Sequence, residues 1–279
     1  MTIKCAKMIL MNKNILGEDT VMFQKLGVQL YTLRNFLVDP DIADVAFEKI
    51  AALGYSEAQV NSYLFDDKTL LDLTSKHGIS IIGSHYDYKK ILANPEEVMA
   101  IHDMWGTKNV GIGGMPKEAR ENLDALKAFI KQFNETAELY AKKGFKLTYH
   151  NHQFEFERID GYKTIMDMLY EGLDPATTSF VFDTCWASAG GADVVAWMEK
   201  LAGRIDILHL KDLTLKRIDR KFYGDATEIG NGNLSWDPIM KMAEQIGVKH
   251  YIVEQDNDFS PTPFASLKMS ADFLAKYKA

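Results

Sequence analysis

From residue 26 onward the chain alternates two hydrophobic patterns. Short runs rich in β-branched and aromatic residues suit extended backbone, and the longer stretches between them repeat apolar residues every three to four positions, which suits helices. The short runs predict strands at 26–33, 55–60, 79–86, 109–114, 146–152, 179–186, 205–212 and 250–256. The stretches between them predict helices near 41–53, 66–77, 95–105, 118–143, 162–171, 192–202, 236–246 and 263–277. Gly54, Gly78, Gly144, Gly203 and Gly247 stand where helices would close, and Pro95 and Pro238 where first turns would begin. AALGYSE, KHGISI, KKGFKL and QIGVKHY thus repeat one helix–glycine–strand junction.

Eight βα units in about 250 residues predict an α/β fold, a (β/α)8 TIM barrel forming a single domain over 26–279. Residues 1–25 read as an N-terminal appendage, with Met22 as an alternative start. A doubly wound open sheet is the competing architecture. Its GxGxxG fingerprint is missing, because the first strand runs into LYTLRNF.

Composition narrows the class of function. Of 279 residues, 47% are hydrophobic and 25% charged, which excludes a disordered or disulfide-scaffold protein. The formal charge of -7 argues against nucleic acid as a partner. Cys5 and Cys185 form no CxxC pair, so a reducing compartment is expected, and cytoplasmic localisation with it. No apolar run approaches the roughly eighteen residues of a membrane span. A homo-oligomer stays open, since periodicity does not say which helices would pair.

A barrel places its chemistry at the C-terminal ends of its strands. There the fifth strand offers His150 and His152, the sixth Asp183, the seventh His209 and Lys211, and the eighth Glu254 and Asp256. Taken singly, each is an ordinary strand-end polar residue bonded to a neighbouring loop. Taken together on adjacent strands, His150, Asp183, His209 and Glu254 are candidate ligands for a divalent metal ion. Their mixed nitrogen and oxygen donors suit zinc, manganese, iron or cobalt better than calcium.

YHNHQFEFE, FVFDTCW, HLKDL, EIGNGNLSWDPIM and YIVEQD resemble the xylose isomerase-like TIM barrel superfamily over essentially residues 26–278. That superfamily holds sugar isomerases and epimerases, inosose and dehydroshikimate dehydratases, and apurinic endonucleases of the endonuclease IV type. The resemblance implies one divalent metal held by Glu, Asp, His and Glu on strands five to eight. Asp183, His209 and Glu254 match three of these, whereas His150 stands where most members carry Glu. In many members the two metal-bound glutamates are also the acid/base pair, so the substitution removes half of that pair. In the dehydratase branch a histidine two places on resembles the general base, and His152 is its match.

The expected function is therefore a metal-dependent sugar isomerase or epimerase working through an enediolate on a keto- or aldo-sugar. The alternative is a dehydratase or lyase of a cyclic or glycosidic keto-sugar, and a second alternative is a non-catalytic carbohydrate-binding barrel. A proton beside a carbonyl needs a Lewis acid on the oxygen and a base near the carbon. His152 is the expected base, with Glu254 as a second catalytic group and Lys211 as a positive partner for a substrate oxygen. Trp186, His85, Tyr31, Arg34 and Glu228 are candidate substrate-binding residues, each with packing, surface charge or turn stabilisation as its structural alternative. His77, His102 and His250 read as structural. The segment 213–234 is long for a βα loop, and its Lys216, Arg217, Arg220 and Lys221 could meet an anion or simply be solvated. GNGN at 230–233 and GIGG at 111–114 are weak phosphate-loop signals without a P-loop ending, so a phosphorylated substrate is not expected. Endonuclease activity is discounted on charge.

Overall fold

The computed structural model describes residues 23–278, so most of the expected appendage lies outside the described residues. Phe23 is buried, stacks on Tyr251 at 5.1 Å and bridges to Lys278. Eight parallel strands close into a barrel: β1 (Leu26–Gln29), β2 (Tyr55–Val60), β3 (Ser80–His85), β4 (Asn109–Ile112), β5 (Lys146–His150), β6 (Thr178–Asp183), β7 (Ile205–Leu210) and β10 (His250–Val253). Between β7 and β10 a two-stranded antiparallel ribbon is added, β8 (Asp212–Ile218) and β9 (Lys221–Thr227). The single-domain TIM barrel expected from the repeat is the observed architecture.

Helices form where the spacing places them, and their ends show why. In α1 (Pro40–Ala52) the Asp39 side chain accepts from the backbone N–H groups of Asp41 and Ile42, Pro40 fills the first turn, and Ala43, Ala46, Phe47 and Ile50 form the buried stripe. Gly54, at φ 88°, turns the chain into β2. Inside the barrel, Ile82, Val181, Ile207 and Ile252 form a separate apolar cluster. Gly27 makes room for it, since a Cβ there would meet Ile252 Cδ1 at 2.3 Å.

Several strands are shorter than their sequence pattern. β1 ends at Gln29, and Leu30–Phe36 turns into a 3-10 helix. β6 ends at Asp183 and the chain re-enters a helix over Thr184–Ala189. A short helix over Tyr88–Ala93 also follows β3. After β1 and β6 apolar residues continue past the point where the barrel closes, so hydrophobicity alone overextends the strand.

The segment expected to be a loop is the largest difference. Its first half is the ribbon, turned through Asp219 and Arg220 at φ 47° and 66°. Two-residue turns of this hand favour Asn-Gly or Asp-Gly, and Asp-Arg lacks that signal. The GNGN stretch wraps a buried carboxylate: Asp212 Oδ2 accepts from Gly230 N, Gly232 N and Trp236 Nε1, and Oδ1 from Leu213 N and Leu234 N. Lys216 is paired with Asp225 and Asp258.

The opposite end of the barrel is structural. His250 pairs with Glu57, and Asp206 lies between Lys146 at 3.0 Å and Lys249 at 2.7 Å. Although burial opposes it, these ammonium groups hold the Asp206 carboxyl below its usual range. A depressed carboxyl adds stability above its unfolded value, about 4, and loses it as pH falls through the folded value. We expect Asp206→Asn to cost about 1 kcal/mol at pH 7, discounted for the exposed lysines, with the deficit shrinking below about pH 4. Urea unfolding across that range checks this, and a deficit that grows on acidification contradicts it.

Candidate metal centre and active site

His150, Asp183, His209 and Glu254 are all buried at the C-terminal ends of β5, β6, β7 and β10, and one donor atom from each lies within 4.8 Å of the other three. Parallel register creates this: Asp183 pairs across with His209, and His150 with Val181 beside it. Asp183 also caps the following helix, its Oδ1 accepting from Trp186 N at 2.8 Å while its own N–H donates to Asn151 Oδ1 at 2.9 Å. That leaves Oδ2 without a hydrogen-bond partner, 3.5 Å from His150 Nε2, which also has none.

Both imidazoles are held by the nitrogen that faces away from the cluster. His150 Nδ1–H donates to Gly113 O at 3.2 Å, which leaves the Nε2 lone pair toward Asp183. His209 Nε2–H donates to Gln59 Oε1 at 2.6 Å, and the same oxygen accepts from Gln29 Nε2 at 2.7 Å. Nδ1 then faces Glu254 at 3.1 Å and Asp183 at 3.7 Å. Orientation by an outer hydrogen bond is what a metal-ligating histidine requires.

Charge gives the second test. Lys211 is buried with its ammonium 2.6 Å from Asp256, 3.3 Å from Glu254 and 3.9 Å from Asp183. Three carboxyl groups thus face one ammonium in a low-dielectric pocket, where unmatched negative charge is costly. Burial opposes ionisation, but Lys211 and the histidines hold Asp183 and Glu254 well below the usual carboxylate range. Burial and the Glu254 charge push Asp256 up. Against the pull of burial, Glu254 and Asp183 raise His209 to about 9 and, with Asp256, raise Lys211 as well. The cluster calls for positive charge, and two unpartnered buried donors with two oriented imidazoles fit a divalent cation.

A cavity of about 250 Å³ opens onto this cluster, lined by Tyr31, Asn61, His85, His152, Trp186 and Lys211 among others. His152 follows β5, and Glu155 fixes its backbone by accepting the His152 N–H at 2.7 Å and the Tyr149 hydroxyl at 2.5 Å. Burial pushes that carboxyl up to about 8. The His152 ring stacks on Phe154 at 5.3 Å and 10°, lies 5.6 Å from Trp186, and has no hydrogen-bond partner at Nδ1. The Arg120 guanidinium lies over the Phe154 ring at 3.8 Å, and Lys211 Nζ sits 4.5 Å from the Trp186 ring. Burial and the neighbouring His150 push His152 down to about 3, so the imidazole is neutral.

Of the candidate substrate residues, Tyr31, His85 and Trp186 line the cavity. Arg34 does not: it lies over the Tyr31 ring at 4.2 Å and donates to the backbone oxygens of Tyr31 and Asp256, bracing the wall from behind. Glu228 also lies apart, buried and accepting from Ser266 Oγ at 2.6 Å and from Asn231, so its turn-stabilising alternative describes its contacts. His77 and His102 are structural, paired with Asp44 and with Ser84 and Val98. Gln29, Gln59, Asn61 and Asp256 complete the site. The strand-end rule applied to LGVQ and YSEAQV would have found the two glutamines. A larger cavity of about 680 Å³ lies between α5 (Leu123–Ala141) and α6 (Ile165–Gly172), but no strand end contributes to it and it gathers no buried donors.

Residues 47–277 match the family model described as xylose isomerase-like TIM barrel. The chain belongs to that family. It is similar to an inosose dehydratase of Clostridium perfringens, 27% identical over 155 residues that make up 49% of each chain. It is also similar to an inosose dehydratase of Mesomycoplasma hyopneumoniae, 24% identical over 63% of this chain and 64% of that one. The chain thus spans about half to two thirds of the length of the curated relatives it matches. Among solved structures it resembles a sugar phosphate isomerase/epimerase from Parabacteroides distasonis, with a TM-score of 0.76 and 26% identity over 91% of this chain and 94% of that one. No helix among the described residues is long and apolar enough to cross a membrane.

Gln59 is not one of the four clustered ligand residues, yet its Oε1 fixes the His209 ring. We expect Gln59→Leu to weaken divalent-metal affinity by about 10- to 100-fold in competition with a chromophoric chelator, with the fold retained by circular dichroism. Unchanged affinity would remove this role.

Proposed function

We propose that this protein is a metal-dependent carbon–oxygen lyase of the dehydratase type, acting on a cyclic keto-sugar or keto-polyol. The observation that carries this reading is the pairing of an engaged Glu254 with a free, neutral His152. Glu254 is held by Lys211 at 3.3 Å and His209 at 3.1 Å, and the strand-five position carries His150 instead of a second glutamate. A two-glutamate acid/base pair across the substrate is therefore not assembled. His152 lines the cavity with an unprotonated ring, beside the cluster.

His150, Asp183, His209 and Glu254 would hold the divalent cation, which when bound supplies Lewis acidity at a carbonyl oxygen and so acidifies the neighbouring C–H. His152 accepts that proton. The electron pair of the broken C–H bond forms the new C=C as the bond to the β-oxygen breaks, and the departing oxygen takes its pair with it. An imidazolium whose neutral form burial favours returns its proton readily, so the same ring can protonate the departing oxygen and release water or an alcohol. Lys211 places fixed positive charge beside the oxygens that gain electron density. The inosose dehydratase relatives support elimination as the outcome. Isomerisation or epimerisation is the second reading, favoured by the similarity to the Parabacteroides distasonis protein, and it uses the same first proton transfer.

His152→Ala is expected to retain its metal and lose about 10²- to 10⁴-fold in kcat on an inosose or a keto-glucoside. Full turnover with bound metal would defeat the base assignment. Proton NMR in heavy water separates the readings: loss of water or alcohol marks elimination, and C–H exchange with no loss marks isomerisation or epimerisation.

A further inference from the structure

We infer that the substrate has two rings, and that a second, outer subsite built on the ends of β3, β4 and β5 holds the ring attached through the oxygen that departs. This rests on the reading of the inner cavity as the place of the keto-ring. The inner cavity is about 250 Å³, and it adjoins a cleft of about 610 Å³ through four shared lining residues, Asn61, His85, Gly113 and His152.

The junction between the two is made of backbone. Gly113 and Gly114, the end of the GIGG stretch, floor the gap between the His85 and His152 rings. A Cβ on Gly114, whose φ is 149°, would stand 3.2 Å from the His152 ring, and one on Gly113 would stand 3.5 Å from His85 Nδ1. Any larger side chain there would project into the passage. This gives GIGG a role that a phosphate loop does not: it keeps the way open past the base. It also places the departing oxygen beside His152, because a link between rings in the two compartments has to cross at that point.

Outside the passage the walls suit a neutral ring. Phe154 continues the stacked surface begun by His152, and Tyr86 is held edge-on by His102 at 5.7 Å. Arg120 and Lys89 are balanced by Asp87 and Glu118, so the cleft carries no net charge to select a phosphate. Aromatic shelves with balanced polar groups recognise either an aromatic ring or the apolar face of a sugar. In the elimination, the C–O bond to this outer ring breaks and its electron pair leaves with the oxygen. The proton taken by His152 from carbon goes to that oxygen, so the outer ring leaves as a neutral alcohol and the inner ring keeps the new C=C.

The metal-loaded full chain is titrated calorimetrically with methyl β-glucoside, phenyl β-glucoside and cellobiose. A ring-bearing ligand is expected to bind about tenfold tighter than the methyl glucoside. Preference for phenyl identifies an aromatic leaving group, and preference for cellobiose a sugar. In Tyr86→Ala, or in Arg120→Ala should the first variant misfold, the ratio is expected to fall to about threefold or less. Equal affinity of the parent for all three ligands overturns the proposal, as does a ratio that survives in a folded variant. Loss of water from a single-ring inosose, followed by proton NMR in heavy water, tests the lyase reading separately, since it needs only the inner cavity.

Discussion

The site depends on the burial of Lys211. An ammonium group out of water is tolerated only because Asp183, Glu254 and Asp256 surround it, and those carboxyls in turn lie deeper than their own charge would allow alone. One ammonium among three carboxyls leaves the cluster short of positive charge, and the inward-facing nitrogens of His150 and His209 are where a proton or a bound cation would supply it. The outer hydrogen bonds to Gly113 O and Gln59 Oε1 are therefore part of the same electrostatic balance. Every strand of the barrel except β4 places a side chain in this network, β3 through His85, whose Nδ1 lies 3.3 Å from Gln29 Nε2, and β4 borders it through the backbone of Gly113.

That network explains why a histidine serves on β5. Glutamate there would add a fourth carboxyl to a pocket holding a single lysine. With His150 the donor count is preserved while the negative charge falls by one, and on the proposed reading the acid/base work falls to His152, outside the charged group and among aromatic rings.

The barrel is legible in the sequence because the βα alternation repeats eight times and five of its helices close on a glycine, Gly54, Gly78, Gly144, Gly203 and Gly247. The four clustered residues were legible because strand alternation puts the last polar residue of an apolar run at the functional end. Other features lacked a local signal. The ribbon after β7 turns on Asp219-Arg220, a pair with no preference for that turn, and the Asp212 bonds that organise the following loop span up to 24 positions. Arg34 and Glu228 carry charges in the right parts of the chain, but their partners, Asp256 O and Ser266, lie more than 35 positions away and turn them from the cavity. Gln29 and Gln59 carry no such signal, because an amide is no base and a poor ligand for the metals that suit imidazole, and their importance appears only when His209 is seen to need an acceptor.

The column Arg120, Phe154, His152, Trp186, Lys211 has a consequence for selectivity. On the proposed reading the base is stacked on Phe154 and set 5.6 Å from the tilted Trp186 ring, each ring backed by a cation, so its direction of approach is set by its neighbours. Stereochemistry is then dictated by the fixed ring. On that reading, of the epimers of a given ketone those whose hydrogen projects toward that side of the pocket would react, and those with the opposite configuration would bind without turnover, as inhibitors.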